Sequence, residues 1–295
     1  MKRVKLIIEE LRPKQWIKNL FVFPALIFSR HLGDLSYAER TLLAFFILCM
    51  ASGASYIIND IIDLRSDRLH PRKCKRPLAS GRLSVSFAAM SALFLIAGAV
   101  ICAGFVNREF LGLILIFLIL QVAYSVYFKH VMLLDVFFIA GLFSLRVIMG
   151  AVAIKVEISS WLVICTILLS LFLALSKRRA ELILMADNAE EYKKVLKRYN
   201  IEVVDEWINI ITSALLLSYL LYTLSPETVA KFHTRGLIFT SPFVLYGVLR
   251  YIYLIHNQGS EDSIENLVLK DKPLLLTLAL WILSVVLVLY LGSRV

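Results

Sequence analysis

The sequence predicts an all-α, polytopic membrane protein of nine transmembrane helices with helical cap loops on one side. Three observations predict it. Hydrophobic residues make up 59% of the 295 residues and charged residues 18%, with a mean hydropathy of +0.77. A soluble core cannot hide so much apolar surface, whereas a bilayer can. Nine apolar segments follow one another with no repeat, low-complexity tract or long linker between them, which implies a single domain over 1–295. Lys and Arg crowd alternate connections, as the positive-inside rule requires.

The N-terminal stretch MKRVKLIIEELRPKQWIK is basic and mixed. It lacks the compact apolar core and small-residue cleavage site of a signal peptide, so the chain reads as unprocessed. The first span, 19–29, is short and broken by Pro24. The others read at 41–58, 85–106, 110–128, 132–154, 159–176, 207–224, 236–256 and 274–292, most near the roughly 20 residues that cross a bilayer. The basic side holds Lys2, Arg3, Lys5, Arg12, Lys14 and Lys18 in the N-terminal arm, then the loops 59–84 and 177–206, with Lys129, Lys270 and Lys272. The other side has only Arg30, Arg40, Arg108, Lys155, Lys231, Arg235 and Arg294. The N-terminus is therefore expected in the cytoplasm and the C-terminus outside a cell membrane, which requires an odd number of spans. The net charge of +10 follows from this topology and needs no nucleic-acid partner. The second long loop, SKRRAELILMADNAEEYKKVLKRYN, places Leu182, Met185, Ala189, Tyr192 and Leu196 at helical spacing and reads as a cytoplasmic helical cap. The four cysteines form no disulfide or zinc spacing. A homo-oligomeric state is left open.

The chemistry concentrates in residues 59–77, NDIIDLRSDRLHPRKCKRP, after an apolar run. Asn59, Asp63 and Asp67 are four apart, so on a helix they share a face with a drift of about 40° per step. Asp60 lies about 100° from Asn59 and reaches the same site only from its edge. Oxygen ligands of this kind suit Mg2+, which takes one or two carboxylates and fills its shell with water and phosphate. Arg68, Lys73 and Arg76 follow closely, and guanidinium forks match phosphate oxygens. The segment can hold a metal-bound diphosphate and stabilise it as it departs. A topogenic basic loop would explain the cations but not the regularly spaced acids.

At these residues the sequence resembles the UbiA superfamily of intramembrane prenyltransferases. NDIIDLRSD matches N-D-x-x-D-x-x-x-D, and HPRKCKRPLASG matches H-P-x-K-x-x-R-P-[LI]-A-x-G. LRPKQWIKNLFVFPAL and LSKRRAEL are similar to segments of its decaprenyl-phosphate phosphoribosyltransferase branch. The superfamily's second D-x-x-x-D is missing directly after the sixth span. Asp187 and Glu191 lie further along and are left unassigned. The resemblance implies a nine-helix bundle with a cytoplasmic active site. It implies transfer of 5-phosphoribose from 5-phosphoribosyl 1-diphosphate to a polyprenyl phosphate that enters from the lipid bilayer. Asn59, Asp63 and Asp67 would hold Mg2+, and Asp63, Asp67, Lys18 and Arg76 would carry the reaction. The nucleophile is already an anion, so no strong general base is needed, and positioning and charge stabilisation suffice. Two other readings stay open: a prenyltransferase acting on an aromatic or lipophilic acceptor, and a lipid or solute transporter.

Several further residues carry two readings each. Lys14, Gln15, Trp16, Lys18 and Asn19 form an interfacial belt, or Lys14, Lys18 and Asn19 grip a phosphate at the site mouth. Lys177 and Arg178 cap a helix end or bind substrate, with Glu181 four residues after Lys177 and able to orient it. Tyr124 and Lys129 fit the superfamily's Y-x-x-x-x-K, or are an interfacial Tyr and a topogenic Lys. Arg146 lies roughly 20 Å along its helix at ~1.5 Å per residue. So deep a guanidinium contacts a phosphate or holds a neighbouring helix. Arg250 lies nearer a helix end and reads as structural.

Overall fold

The computed structural model describes residues 2–70, 73–186, 198–257, 267 and 270–291. Helices account for the regular structure, with no strand among the described residues. The single domain expected from the sequence groups by its internal contacts into two compact units, Met1–Glu157 and Ile158–Val295.

The first unit opens with α1 (Lys2–Glu10). Leu6 and Ile7 pack against a cluster of Ala54, Ile57, Leu78, Leu83, Ala88 and Ala92, while Val4 and Ile8 stay exposed. A 3₁₀ helix, Pro13–Val22, follows, and then the short α2, Pro24–Phe28. Proline starts each, because its fixed φ suits a first turn and its missing N–H does no harm there. Pro24 thus divides the expected first span between two short pieces, neither long enough to cross a bilayer as one α-helix. Next come α3 (Leu35–Ile62), α4 (Leu64–Leu69), a 3₁₀ turn at Lys73–Lys75, α5 (Val85–Val106), α6 (Arg108–Val126), a 3₁₀ turn at Phe128–His130, and α7 (Leu134–Ala153).

Small residues set the packing. α5 turns Ala88, Ala92, Ala99 and Ala103 inward and leaves Phe94 and Phe105 77% and 83% exposed, an outward face made for lipid. Helices in a bilayer associate through such close, small-residue contacts because lipid tails remove the hydrophobic drive between them. Gly150 on α7 meets the 3₁₀ helix directly: a Cβ there would collide with the carbonyl oxygen of Val22 and stand 2.9 Å from its carbonyl carbon. The core beside it joins Val22, Ala51, Ala99, Phe110, Phe117 and Met149.

The second unit comprises α8 (Ser160–Ala186), α9 (Ile201–Leu224), α10 (Pro226–Phe232), a 3₁₀ turn at Gly236–Thr240, α11 (Ser241–Asn257) and α12 (Lys272–Tyr290). Asn200 and Asp271 cap α9 and α12 by accepting from the N–H groups of Glu202 and Leu274, both at 2.8 Å. Trp281 Nε1 donates to Tyr219 Oη at 2.9 Å, and Tyr219 Oη lies 2.7 Å from Thr240 Oγ1, which ties α9, the 3₁₀ turn and α12 together. α8 continues past its expected end and carries Lys177, Arg178 and Leu182 as part of one long helix. The rest of the expected cap, with Ala189, Tyr192 and Leu196, lies outside the described residues.

Eight helices among the described residues are long and apolar enough to cross a membrane, from Leu35–Ile62 to Lys272–Tyr290. The protein is a multi-pass membrane protein.

Candidate active site

The site is built at the end of α3. That helix stops at Asp63, whose backbone (φ −86°, ψ 4°) caps it, and α4 restarts at Leu64. The break separates the three expected ligands. Lys129 Nζ donates to Asn59 Oδ1 at 3.4 Å and to the two Asp63 oxygens at 2.6 and 2.8 Å. Asp67 is paired instead with Arg76 and Lys73. Arg76 Nη1 donates to Asp67 Oδ2 at 2.5 Å, and Lys73 Nζ lies 3.7 Å from Asp67 Oδ1. Arg76 Nη1 also donates to Asp60 Oδ1 at 3.0 Å.

Asp60 is not at the edge of this arrangement, as its helical angle suggested. It is buried at the centre, gripped through both oxygens by Arg12 as well as by Arg76. Burying a carboxylate costs several kcal/mol unless cations and hydrogen bonds accompany it. Asp60 and Asp67 are each 2% exposed, and each has two cationic partners.

Arg12 is the residue the sequence reading missed, having counted it only as a topogenic charge. It takes a left-handed backbone conformation (φ 50°, ψ 66°), which costs a non-glycine residue about 1 kcal/mol or more. The grip on Asp60 and a place 5.3 Å from the centre of the Tyr56 ring offset that cost. The available signal was its position in LRPKQW, directly before the proline that starts the 3₁₀ helix. Glu10 was missed as well. It is buried, its Oε1 accepts from the Leu78 N–H at 2.8 Å, and burial, with the nearby Asp60 carboxylate adding to it, pushes its pKa up to about 7.

The remaining predicted residues of the first unit fall into two groups. Asn19 and Arg146 face each other in a buried network. Arg146 Nε donates to Asn19 Oδ1 at 2.9 Å, and Arg146 Nη1 to the Leu142 carbonyl at 2.7 Å. Ser52 Oγ donates to Asn19 Oδ1 at 3.2 Å, and Asn19 Nδ2 to Cys49 Sγ at 3.3 Å. The Arg146 guanidinium also stands 4.9 Å from the Phe117 ring centre and 5.3 Å from that of Phe143. These contacts join the 3₁₀ helix, α3 and α7, so they follow the helix-holding reading of Arg146. Lys14 is exposed and Lys18 half-buried on the 3₁₀ helix, Arg68 is exposed on the last turn of α4, and Tyr124 is half-buried near the end of α6.

Residues 20–270 match the UbiA prenyltransferase family. The chain belongs to that family. Among its relatives, the decaprenyl-phosphate phosphoribosyltransferase of Corynebacterium glutamicum is 30% identical over 96% of this chain and 86% of its own. The enzyme of the same name from Mycolicibacterium smegmatis is 29% identical over 94% of this chain and 90% of its own. Among solved structures, a UbiA homologue from Archaeoglobus fulgidus bound to GPP and Mg2+ shares the fold, with a TM-score of 0.72, 20% identity, and coverage of 96% of this chain and 99% of that one.

As a member of the UbiA family this chain is a membrane transferase, and its donor set can be tested against a divalent cation. Asn59 and Asp63 bring three oxygens around one ammonium nitrogen, so they converge on a point that already holds positive charge. Among the described residues no three His, Cys, Asp or Glu side chains converge to hold a metal. The site therefore fits a hard cation with two protein ligands, the rest of its shell coming from water and phosphate.

In the second unit the segment LSKRRAEL lies within α8. Lys177 is exposed, while Arg178 is buried and ion-paired with Glu181, the carboxylate that the sequence offered to Lys177. Arg179 donates to Asp205 Oδ1 at 2.5 Å and to the Ile255 carbonyl at 3.1 Å. Arg250 makes a two-point contact with Asp271, at 2.8 and 3.3 Å, in keeping with its structural reading. Asp187 and Glu191 lie outside the described residues.

Proposed function

We propose that this protein transfers 5-phosphoribose from 5-phosphoribosyl 1-diphosphate to a polyprenyl phosphate, forming polyprenylphosphoryl-5-phosphoribose and diphosphate. The observation that carries the reading is the interleaving of Asp60, Asp63 and Asp67 with Arg12, Lys73, Arg76 and Lys129 at one end of α3. Such a cluster balances its own charge when empty and can exchange partners when a diphosphate and its metal arrive. The names and extent of similarity of the Corynebacterium and Mycolicibacterium relatives support the pentosyl donor over others.

Asn59 and Asp63 are the proposed holders of Mg2+, which when bound would neutralise charge growing on the departing diphosphate, while Asp67 positions Arg76 and Lys73 beside it. Arg76 and Lys73 donate to the same leaving group. Arg76 uses a planar fork and Lys73 a compact charge. The lipid phosphate oxygen forms the new bond to ribose C1 as the C1–O bond to diphosphate breaks, and the electron pair leaves with diphosphate. Lys14 and Lys18 are the proposed grips on the lipid phosphate, and Tyr124 and Lys129 donate to phosphate or ribose oxygens. Asn19 and Arg146 keep the 3₁₀ helix that carries Lys14 and Lys18 in place. Lys177 and Arg178 rest on the motif resemblance alone. The charge distribution supports a cytoplasmic N-terminus, an external C-terminus and a cytoplasmic site in a cell membrane.

The Archaeoglobus structure bound to GPP favours one second reading, prenyl transfer to a lipophilic acceptor. Purified protein, Mg2+, polyprenyl phosphate and labelled phosphoribosyl diphosphate decide between them. Label entering the lipid phase with release of diphosphate is expected. Label entering only from a prenyl diphosphate would overturn the pentosyl reading.

A further inference from the structure

We propose that a polar cavity of the first unit seats the sugar-phosphate half of the donor, and so selects a phosphoribosyl over a prenyl diphosphate. The assignment rests on the phosphoribosyl reading above. The cavity measures about 330 Å³ and is lined by Glu9, Glu10, Arg12, Gln15, Lys75 and Arg76, with Pro77 completing the wall.

The lining chemistry identifies the occupant. An isoprenoid chain needs apolar walls, and among the described residues that line the cavity Pro77 alone is apolar. A base or other aromatic group would stack on a ring, and no ring is among those residues. Carboxylates and an amide accept hydrogen bonds from sugar hydroxyls, and Lys and Arg bind a phosphomonoester. A pentose phosphate presents both kinds of group.

The carboxylates do not cancel this attraction. Glu9 is paired with Arg82 at 3.2 Å, and Glu10 accepts from the Leu78 N–H at 2.8 Å. Burial raises the Glu10 pKa to about 7, so near neutral pH it is a hydroxyl donor for much of the time. Among the described residues the exposed Lys75 ammonium forms no ion pair, which leaves its charge available to an incoming anion.

Connectivity points the same way. Arg12 and Arg76 line the cavity and also hold Asp60, and Arg76 reaches on to Asp67. A ligand with a phosphate at each end can therefore place its diphosphate among the acids and cations of the cluster and its 5-phosphate in the cavity. A prenyl diphosphate offers nothing to the second of these places.

The test uses the full-length protein in detergent with Mg2+, as wild type, Lys75→Gln and Gln15→Glu. Transfer from labelled phosphoribosyl diphosphate is inhibited in separate series with ribose 5-phosphate and with inorganic pyrophosphate. Both variants should weaken inhibition by ribose 5-phosphate about tenfold and raise the KM for phosphoribosyl diphosphate by a similar factor, Lys75→Gln through the loss of one charge-assisted contact and Gln15→Glu through a negative charge set against the phosphate. Inhibition by pyrophosphate and the KM for polyprenyl phosphate should stay within about twofold, because these variants leave the cluster's own cations in place. Equal weakening of both inhibitors, or no change in either, overturns the cavity assignment. If wild type transfers label and the variants match it, the cavity assignment alone fails. If wild type transfers none, the phosphoribosyl reading fails and the cavity assignment falls with it.

Discussion

The two units hold their charges in opposite ways. In the second, among the described residues, three guanidiniums each hold one carboxylate: Arg178 holds Glu181, Arg179 holds Asp205, which also has His256 at 3.9 Å, and Arg250 holds Asp271. In the first, partners are shared. Arg76 serves Asp60 and Asp67, Asp60 takes Arg12 as well, and Lys73 joins Arg76 on Asp67. A one-to-one pair has a single good arrangement and works as a staple. A shared network has several arrangements of similar energy, so an added anion and cation can enter by exchange without leaving a buried charge bare. The difference between staple and exchange is the physical ground for placing chemistry in the first unit.

Four perturbations break or sharpen that contrast. The largest effect is expected from Asp63→Asn and Asp67→Asn. Each should lower phosphoribosyl transfer by about 100-fold or more while the protein elutes from gel filtration as wild type does. Arg179→Gln in the second unit should leave kcat within about threefold. Full activity in both Asp variants would remove the diphosphate role of the cluster.

Next comes Arg146→Met, which removes the buried guanidinium's bonds to Asn19 Oδ1 and the Leu142 carbonyl and leaves Asn19 Oδ1 with the Ser52 hydroxyl. It should cost about 1–3 kcal/mol of stability, read as a lower melting temperature in detergent. The double variant Asn19→Leu/Arg146→Met should recover part of that loss. Strictly additive losses would show that the two residues do not act as a unit.

Glu10→Gln gives a pH-dependent effect. A carboxyl whose folded-state pKa is raised from 4.5 to about 7 favours the folded state fully below 4.5, and that advantage fades as pH rises through 7. Wild type should therefore lose about 5–10 °C of melting temperature relative to the variant between pH 5 and 8. Parallel melting curves across that range would mean that Glu10 stays ionised. The smallest effect belongs to Arg250→Lys, which trades a two-point contact on a partly exposed pair for a single charge. The melting temperature should fall by no more than about 2 °C, and a drop in kcat would reassign Arg250.

Much of this fold was legible because lipid imposes simple rules. The span expected at 85–106 forms as Val85–Val106, ended by Ser84 and Asn107 in extended conformation. The span expected at 19–29 does not form as a continuous α-helix, because Pro13 and Pro24 start short pieces whose burial depends on α7 and α3. In the site, the spacing of Asn59 and Asp63 was readable and is kept. The break at Asp63 was not, since NDIIDLRSD holds neither Gly nor Pro and the turn depends on cations that arrive from distant segments. Arg12 reaches Asp60 across 48 residues of sequence, so no local pattern could pair them. Glu181 has basic residues both three and four positions before it, and only the side-chain directions on α8 select Arg178.

Gly150 has a reach beyond the packing it permits. The bare α-carbon lets the Val22 carbonyl settle against α7. Any side chain at 150, even one methyl, would act as a wedge and push the short proline-led segment outward. Lys14 and Lys18 ride on that segment, so a position within the apolar bundle that carries no functional group of its own governs where the two proposed phosphate grips stand.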